Sequence, residues 1–219
     1  MATWVLHLRV AEKIAETLGI NIDETAYYVG AVAPDSGRMV DNFTYLPSKD
    51  VSHWKREGVS YEQRFEDNAD FYRQYGENEC DAFKRSLYLG YYIHILTDTI
   101  YVRDIIRPFI KAHGRDFWRA NIDTIRSGWY EIDHRFIARN KDFRPLKIIS
   151  EVKSFENIYF DYFERDDITE RVVCAAELFS NGKPNENAVF LTHDEARAEE
   201  LIDCMVKTIR DILKEKHGI

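Results

Sequence analysis

Apolar residues recur along this chain at the spacing of helices rather than strands. From Trp4 to Leu18 they fall at Trp4, Leu8, Ala11, Ile14, Ala15 and Leu18, a stripe one helical face wide that Gly19 ends. Asp23 is placed to cap a second helix through Tyr27, Tyr28, Val29 and Ala31 to Ala33. Pro34 stops that helix, because the residue before a proline is pushed out of the helical region. Ala33-Pro34-Asp35-Ser36-Gly37 then forms a turn, and Arg38 to about Ser60 follows without a period. Tyr61 to Tyr75 and Cys80 to about His113 read as helices separated by Gly76-Glu77-Asn78, with Pro108 kinking or ending the second. Arg115 to Arg139 reads as one long amphipathic helix with its stripe at Trp118, Ile122, Ile125, Trp129, Ile132 and Phe136. Asp142 to Asp167 carries no clear pattern. Ile168 to Phe179 is a helix ended by Asn181-Gly182, and Lys183 to Phe190 a loop. The last helix spans His193 to Lys216, with Ala196, Leu201, Cys204, Met205, Ile209, Ile212 and Leu213 on its apolar side and an acidic start and basic end that suit the helix dipole. No strand pair, repeat or low-complexity tract stands out. The expectation is an all-α, single-domain multi-helix bundle over residues 1–219.

Within that pattern, Ser86 to Val102 (SLYLGYYIHILTDTIYV) is apolar all round and carries one formal charge, Asp98. The segment is short and rich in Tyr and Thr, which suits the central helix of a packed core better than a membrane span. Asp98 lies four residues after His94, so the carboxylate and the imidazole share a helix face one turn apart. An isolated carboxylate in an apolar interior finds a cation, finds donors or takes up a proton. Arg103 is the nearest basic residue in the chain and points to one side at i+5. A metal ion shared with His94 is the natural local partner.

Other residues could join such a site. His7 lies at the edge of the first stripe and faces inward, either as a core histidine satisfied by one hydrogen bond or as a ligand. Asp35 projects from a stiff turn, where an Asp is usually only a turn former. His53, in Ser52-His53-Trp54, sits in a long irregular segment of the kind that more often serves function than connection. Asp133 is next to the stripe of its helix and within reach of a site, although a solvated face explains Glu131, Asp133 and His134 together. These groups offer neutral imidazole nitrogens and carboxylate oxygens, the ligands that zinc takes when coordination positions stay open to water.

The 219 residues carry a net charge of −8, which argues against a broad basic surface for polyanions and hence against a stable nucleic-acid partner. Three widely spaced cysteines, Cys80, Cys174 and Cys204, suggest semi-buried free thiols rather than a disulfide framework or a thiolate zinc cluster. The opening MATWVLHLRVAEK lacks the pattern of a secretory signal, no transmembrane segment is evident, and a cytoplasmic location is the expectation.

His7-Leu8-Arg9-Val10-Ala11, Ala33-Pro34-Asp35-Ser36, Ser52-His53-Trp54 and Leu89-Gly90-Tyr91-Tyr92-Ile93-His94-Ile95-Leu96-Thr97-Asp98 occur in that order. Together they resemble the zinc-dependent phospholipase C family, which shares its fold with single-strand-specific zinc nucleases. The match covers about the first half of the chain. It implies that Asp35, His53, His94 and Asp98 bind one zinc ion, with Asp98 bridging to a second held by His7, and that Asp35 is the catalytic base beside a metal-bound hydroxide. The secreted members use a processed amino-terminal Trp as a ligand, whereas this chain reads Met1-Ala2-Thr3-Trp4, so Asp133 is an additional candidate ligand. A third zinc site, which in the family uses a His pair and a Glu, has no counterpart. The expectation is therefore a hydrolase holding one or two zinc ions, or another divalent transition metal. Its substrate would be a small phosphodiester or a phospholipid. A non-catalytic, metal-stabilised helical binding or sensing module is the alternative, and the oligomeric state is open.

Overall fold

The computed structural model describes residues 2–41 and 44–219. Among these, eleven α-helices carry the fold, and the architecture is all-α apart from one small hairpin. The first half runs α1 (Trp4–Ala15), α2 (Glu24–Gly30), a 3-10 turn (Ala33–Asp35), β1 (Arg38–Asp41), β2 (Thr44–Leu46), α3 (Lys49–Ser52), α4 (Tyr61–Tyr75) and α5 (Ala82–Tyr101). A π-turn (Val102–Ile106) joins α5 to α6 (Arg107–His113), followed by α7 (Arg115–Ala120), α8 (Ile122–Arg139), α9 (Arg144–Glu151), α10 (Asp167–Asn181) and α11 (Glu195–His217).

The axis of the molecule is α5, buried without a break from Ser86 to Tyr101. A helix apolar on every side has to be covered on every side, and α1, α2, α4 and α11 all pack against it. The tightest crossing is with α2. A Cβ added to Gly90 would stand 2.0 Å from the Tyr27 carbonyl oxygen, and one added to Gly30 would stand 2.1 Å from the Leu87 carbonyl oxygen. Each glycine thus admits the backbone of the other helix, a separation that no residue with a side chain permits. The crossing brings the carbonyl of Ala31, which caps α2, onto the His94 ring.

Several elements differ from the sequence expectation. The irregular stretch after Asp35 contains an antiparallel pair, Arg38 opposite Leu46 and Met39 opposite Tyr45, in strands too short and too exposed to leave a period in the sequence. Pro108 falls in the first turn of α6, where no backbone N–H is needed. The strain it imposes on the carbonyl four residues back is taken up by the π-turn that precedes it. Asn121 leaves the helical region and splits the expected long helix into α7 and α8, its amide donating to the Phe117 carbonyl. Part of the unpatterned 142–167 stretch is α9. The remainder wraps around Asn157, whose Nδ2 donates to the Phe160 and Phe163 carbonyls at 2.7 Å each.

Burial corrects three further readings. All three cysteines are exposed rather than semi-buried. On α11 the inward face is Ala198, Leu201, Ile202, Met205, Ile209 and Leu213, with Ala196 and Cys204 outside. Glu131 and Asp133 are buried rather than solvated. Glu131 accepts from Arg135 Nε at 2.7 Å and from the Asn185 amide at 2.9 Å, so its charge is offset inside the fold. No helix among the described residues is long and apolar enough to cross a membrane.

Candidate metal centre

Five side chains from four places in the chain converge at the middle of α5. His94 and Asp98 come from α5 itself, and His7 from the buried face of α1 beside it. Asp35 closes the 3-10 turn, where Pro34 stiffens the corner. His53 caps the carboxyl end of α3, a single turn started by Ser48, whose hydroxyl accepts from the Val51 amide at 3.4 Å. Trp54 then turns the chain away with a φ of 50°, a left-handed conformation that a bulky residue adopts only when held there. Phe71 and Tyr75 pack edge-on against its indole and provide that hold.

The ligand atoms of His7, His94 and Asp98 all lie within 4.8 Å of one another, and so do those of Asp35, His53 and His94. His94 therefore belongs to both groups. His7 Nε2 is 3.5 Å from Asp98 Oδ1, while His53 Nε2 is 3.4 Å from Asp98 Oδ2 and 3.5 Å from Asp35 Oδ1. The His7 and His94 rings stack with centroids 3.6 Å apart and planes 9° from parallel.

A second layer of contacts aims these groups. The Nδ1–H of His94 donates to the Ala31 carbonyl at 2.8 Å, which leaves Nε2 as the lone-pair nitrogen facing the centre. His53 Nδ1 pairs with the Ser52 hydroxyl at 2.9 Å, and its Nε2 likewise faces inward. The Ser52 carbonyl is in turn held by the Tyr91 hydroxyl, to which Tyr162 donates at 3.0 Å. Asp98 Oδ1 accepts the Ala2 backbone N–H at 2.8 Å. Asp35 Oδ2 accepts the Trp4 indole N–H at 2.9 Å, and its Oδ1 accepts from Lys49 at 3.0 Å.

The protonation states suit a cation. Burial holds His94 well below the usual histidine range, with His7 beside it adding to the effect. Burial also lowers His53, assisted by the charge of Lys55. Burial opposes charge on Asp35, yet His53, Lys49 and His94 outweigh it and keep the carboxyl well below its ordinary range. Asp98 behaves in the same way, with His7 and Lys55 prevailing over burial. Neutral imidazoles and ionised carboxylates are what a divalent transition metal requires of its ligands.

The hydrogen-bond inventory says the same. Both ring nitrogens of His7, Nε2 of His53, Nε2 of His94 and Oδ2 of Asp98 are buried with no hydrogen-bond partner. Buried polar atoms are almost always satisfied, and each orphan costs about 1–3 kcal/mol. Five orphans around one point have no explanation as ordinary core residues. His7 in particular lacks the single hydrogen bond that a core histidine would have. The donor set of three imidazoles and two carboxylates fits zinc.

Asp35 also lines a cavity of about 390 Å³, whose walls include Trp4, Lys49, Trp118, Arg126 and Arg171. Its side chain is 10% exposed, while those of His7, His53 and Asp98 are at most 1% exposed. The centre thus opens to solvent through Asp35.

His7, Asp35, His53, His94 and Asp98 are all brought together. Asp133 stands apart from both groups, facing the start of α1. Burial pushes its carboxyl up to about 7, against the hydrogen bonding of the Thr3 side chain and the Val5 backbone. Four residues that shape the site escaped the sequence reading as functional groups: Trp4, Lys49, Arg126 and Arg171. Trp4 looked like one more member of an apolar stripe. The only local signal for Arg171 was a cation directly beside Val172 on the apolar face of its helix.

A model of the family described as zinc dependent phospholipase C matches residues 6–219. No curated protein and no solved structure matches the chain.

Proposed function

The chain belongs to the zinc-dependent phospholipase C family, and from that premise we propose that it hydrolyses a phosphodiester, either a phospholipid or a smaller soluble ester, in the cavity beside Asp35. It is a zinc-dependent phosphoester hydrolase by membership. The observation that carries the finer reading is the junction of two features at one residue: the cluster of His and Asp side chains that could hold a metal and a cationic, aromatic-walled cavity share Asp35.

His7 and Asp98 would hold zinc on one side of the cluster and Asp35 and His53 on the other, with the single lone pair of His94 Nε2 serving one of the two. When bound, zinc supplies Lewis acidity toward a phosphoester oxygen and lowers the pKa of water toward neutrality. The protein's own groups do the rest. Trp4 and Lys49 fix both oxygens of Asp35, so the carboxylate can orient an attacking water and take its proton at an Oδ atom. Its pKa, held below the ordinary range, makes the carboxylate a weak base, so orientation is the larger part of that task. Lys49 adds positive charge on the Asp35 side of the cavity, and Trp118 offers a surface to the organic part of the ester.

Turnover of bis(p-nitrophenyl) phosphate by the zinc-loaded protein tests the reading. Asp35→Asn keeps the shape of the side chain and should lower kcat by about 10²–10⁴, with zinc content measured in the same samples. Undiminished turnover in Asp35→Asn would remove the base from the scheme. Full zinc content with no turnover in the wild type would instead favour a metal-stabilised module without catalysis.

A further inference from the structure

The cavity has a charge pattern that phosphoester hydrolysis alone does not demand. Among the described residues that line it, Asp35 is the only acid, and both of its oxygens are already engaged by Trp4 and Lys49. Against it stand three cations, Lys49, Arg126 and Arg171. The excess of positive charge remains after Asp35 is counted.

Arg171 is the most informative of the three. It rises from α10 into the cavity wall, where Nη2 donates to the Gly37 carbonyl at 3.3 Å and the guanidinium lies 5.1 Å over the Trp4 ring. Its Nε is buried with no hydrogen-bond partner. A buried guanidinium N–H without an acceptor is costly, and the group that relieves it is an anion. Arg126 projects from α8 into the same cavity at its solvent side, next to Trp118 and Ile122. Aromatic walls would ordinarily welcome a quaternary ammonium group through cation–π attraction. Here the Trp4 face is already covered by a cation of the protein's own, and a second cation would meet like charge in a half-buried space.

We propose that this cavity recognises a second anionic group on the substrate, so that the preferred ester is one whose alcohol carries a carboxylate or a further phosphate, with Arg171 and Arg126 discriminating against cationic head groups. The inference rests on the phosphoester reading above and names the substrate class for the same site.

A matched series of two-carbon phosphates tests it by equilibrium binding, independently of turnover. The series is phosphocholine (cationic), ethyl phosphate (neutral), phosphoglycolate (carboxylate) and ethane-1,2-diol bisphosphate (second phosphate), each titrated calorimetrically into the zinc-loaded protein. The anionic members should bind at least about tenfold more tightly than ethyl phosphate, and phosphocholine no more tightly than it. The order of phosphoglycolate and the bisphosphate then identifies which anion is preferred. Arg171→Gln should narrow the gap to within about threefold at unchanged zinc content, and Arg126→Gln, at an exposed position, should narrow it in the same direction. Phosphocholine binding as tightly as phosphoglycolate, no binding by any member, or a gap that survives both substitutions would overturn the inference. Parallel turnover of p-nitrophenyl diesters of the same alcohols keeps the two claims separate. Absent turnover with the binding order intact would count against hydrolysis and in favour of the anion site.

Discussion

Gly90→Ala adds one methyl group where α2 and α5 touch. That methyl carbon would start 2.0 Å from the Tyr27 carbonyl oxygen, so the helices must part by about 1.4 Å to reach an ordinary 3.4 Å contact. The same displacement draws the Ala31 carbonyl away from His94 Nδ1, now 2.8 Å distant, and frees the ring that both ligand groups share. Helix propensity returns about 1 kcal/mol when Gly becomes Ala. Overpacking costs about 1–3 kcal/mol, and a buried hydrogen bond lost to separation about 1–3 kcal/mol more. The net loss centres on about 3 kcal/mol, a fall in Tm of roughly 6–12 °C for a chain of this size. Thermal unfolding followed by circular dichroism, with zinc content measured on the same samples, reads both effects. Gly19→Ala serves as the control, since no atom lies within 4 Å of its added Cβ. A Gly90→Ala protein that melted within about 2 °C of the wild type and kept all its zinc would refute the claim that this crossing sets the centre.

Other consequences follow from buried charge. Glu131→Ala leaves the Asn185 amide without its acceptor and Arg135 short of a partner, and should cost about 1–3 kcal/mol in urea unfolding while making the 183–190 loop easier to cleave. Burial pushes His193 down to about 4, so the unfolded chain binds its proton first as the pH falls below 6.5. The stability contributed by this neutral imidazole is complete above that pH and is lost progressively toward pH 4, amounting to about 2 kcal/mol at pH 5. His193→Gln should therefore reduce the stability difference between pH 7.5 and pH 5 by about that amount, and an unchanged difference would place the acid sensitivity elsewhere.

The parts of the molecule legible in the sequence are those where local pattern and tertiary role agree. The apolar run around His94 and Asp98 is so continuous that only a central helix accommodates it, and the charge it buries marks the site. His7, Asp35 and His53 were readable as partners only together, since each alone has an ordinary explanation as a core, turn or surface residue. What escaped notice depends on contacts between distant segments. Glu131 and Asp133 lie on a helix that reads as half solvated, and the loop at Asn185 and the start of α1 that cover them leave no mark near them in the chain. The hairpin escaped because strands of four and three exposed residues carry no alternation. Trp4 supplies an apolar surface to the core and an N–H to Asp35, and periodicity sees only the first. The exposure of the thiols is not legible either, because burial of a cysteine is set by its helix face, and Cys204 sits just off the inward stripe of α11.

The central claim is that the five buried donors exist to hold zinc, with His94 common to both groups. Its most direct test is the zinc content per chain of the purified protein by mass spectrometry, for the wild type beside His94→Ala and His7→Ala. The structure predicts one or two zinc ions in the wild type, with the ion that His94 Nε2 holds lost in His94→Ala. If two are present, His7→Ala should lose only one. A folded wild type that takes up no zinc on titration, or a His94→Ala protein with wild-type content, would contradict the account.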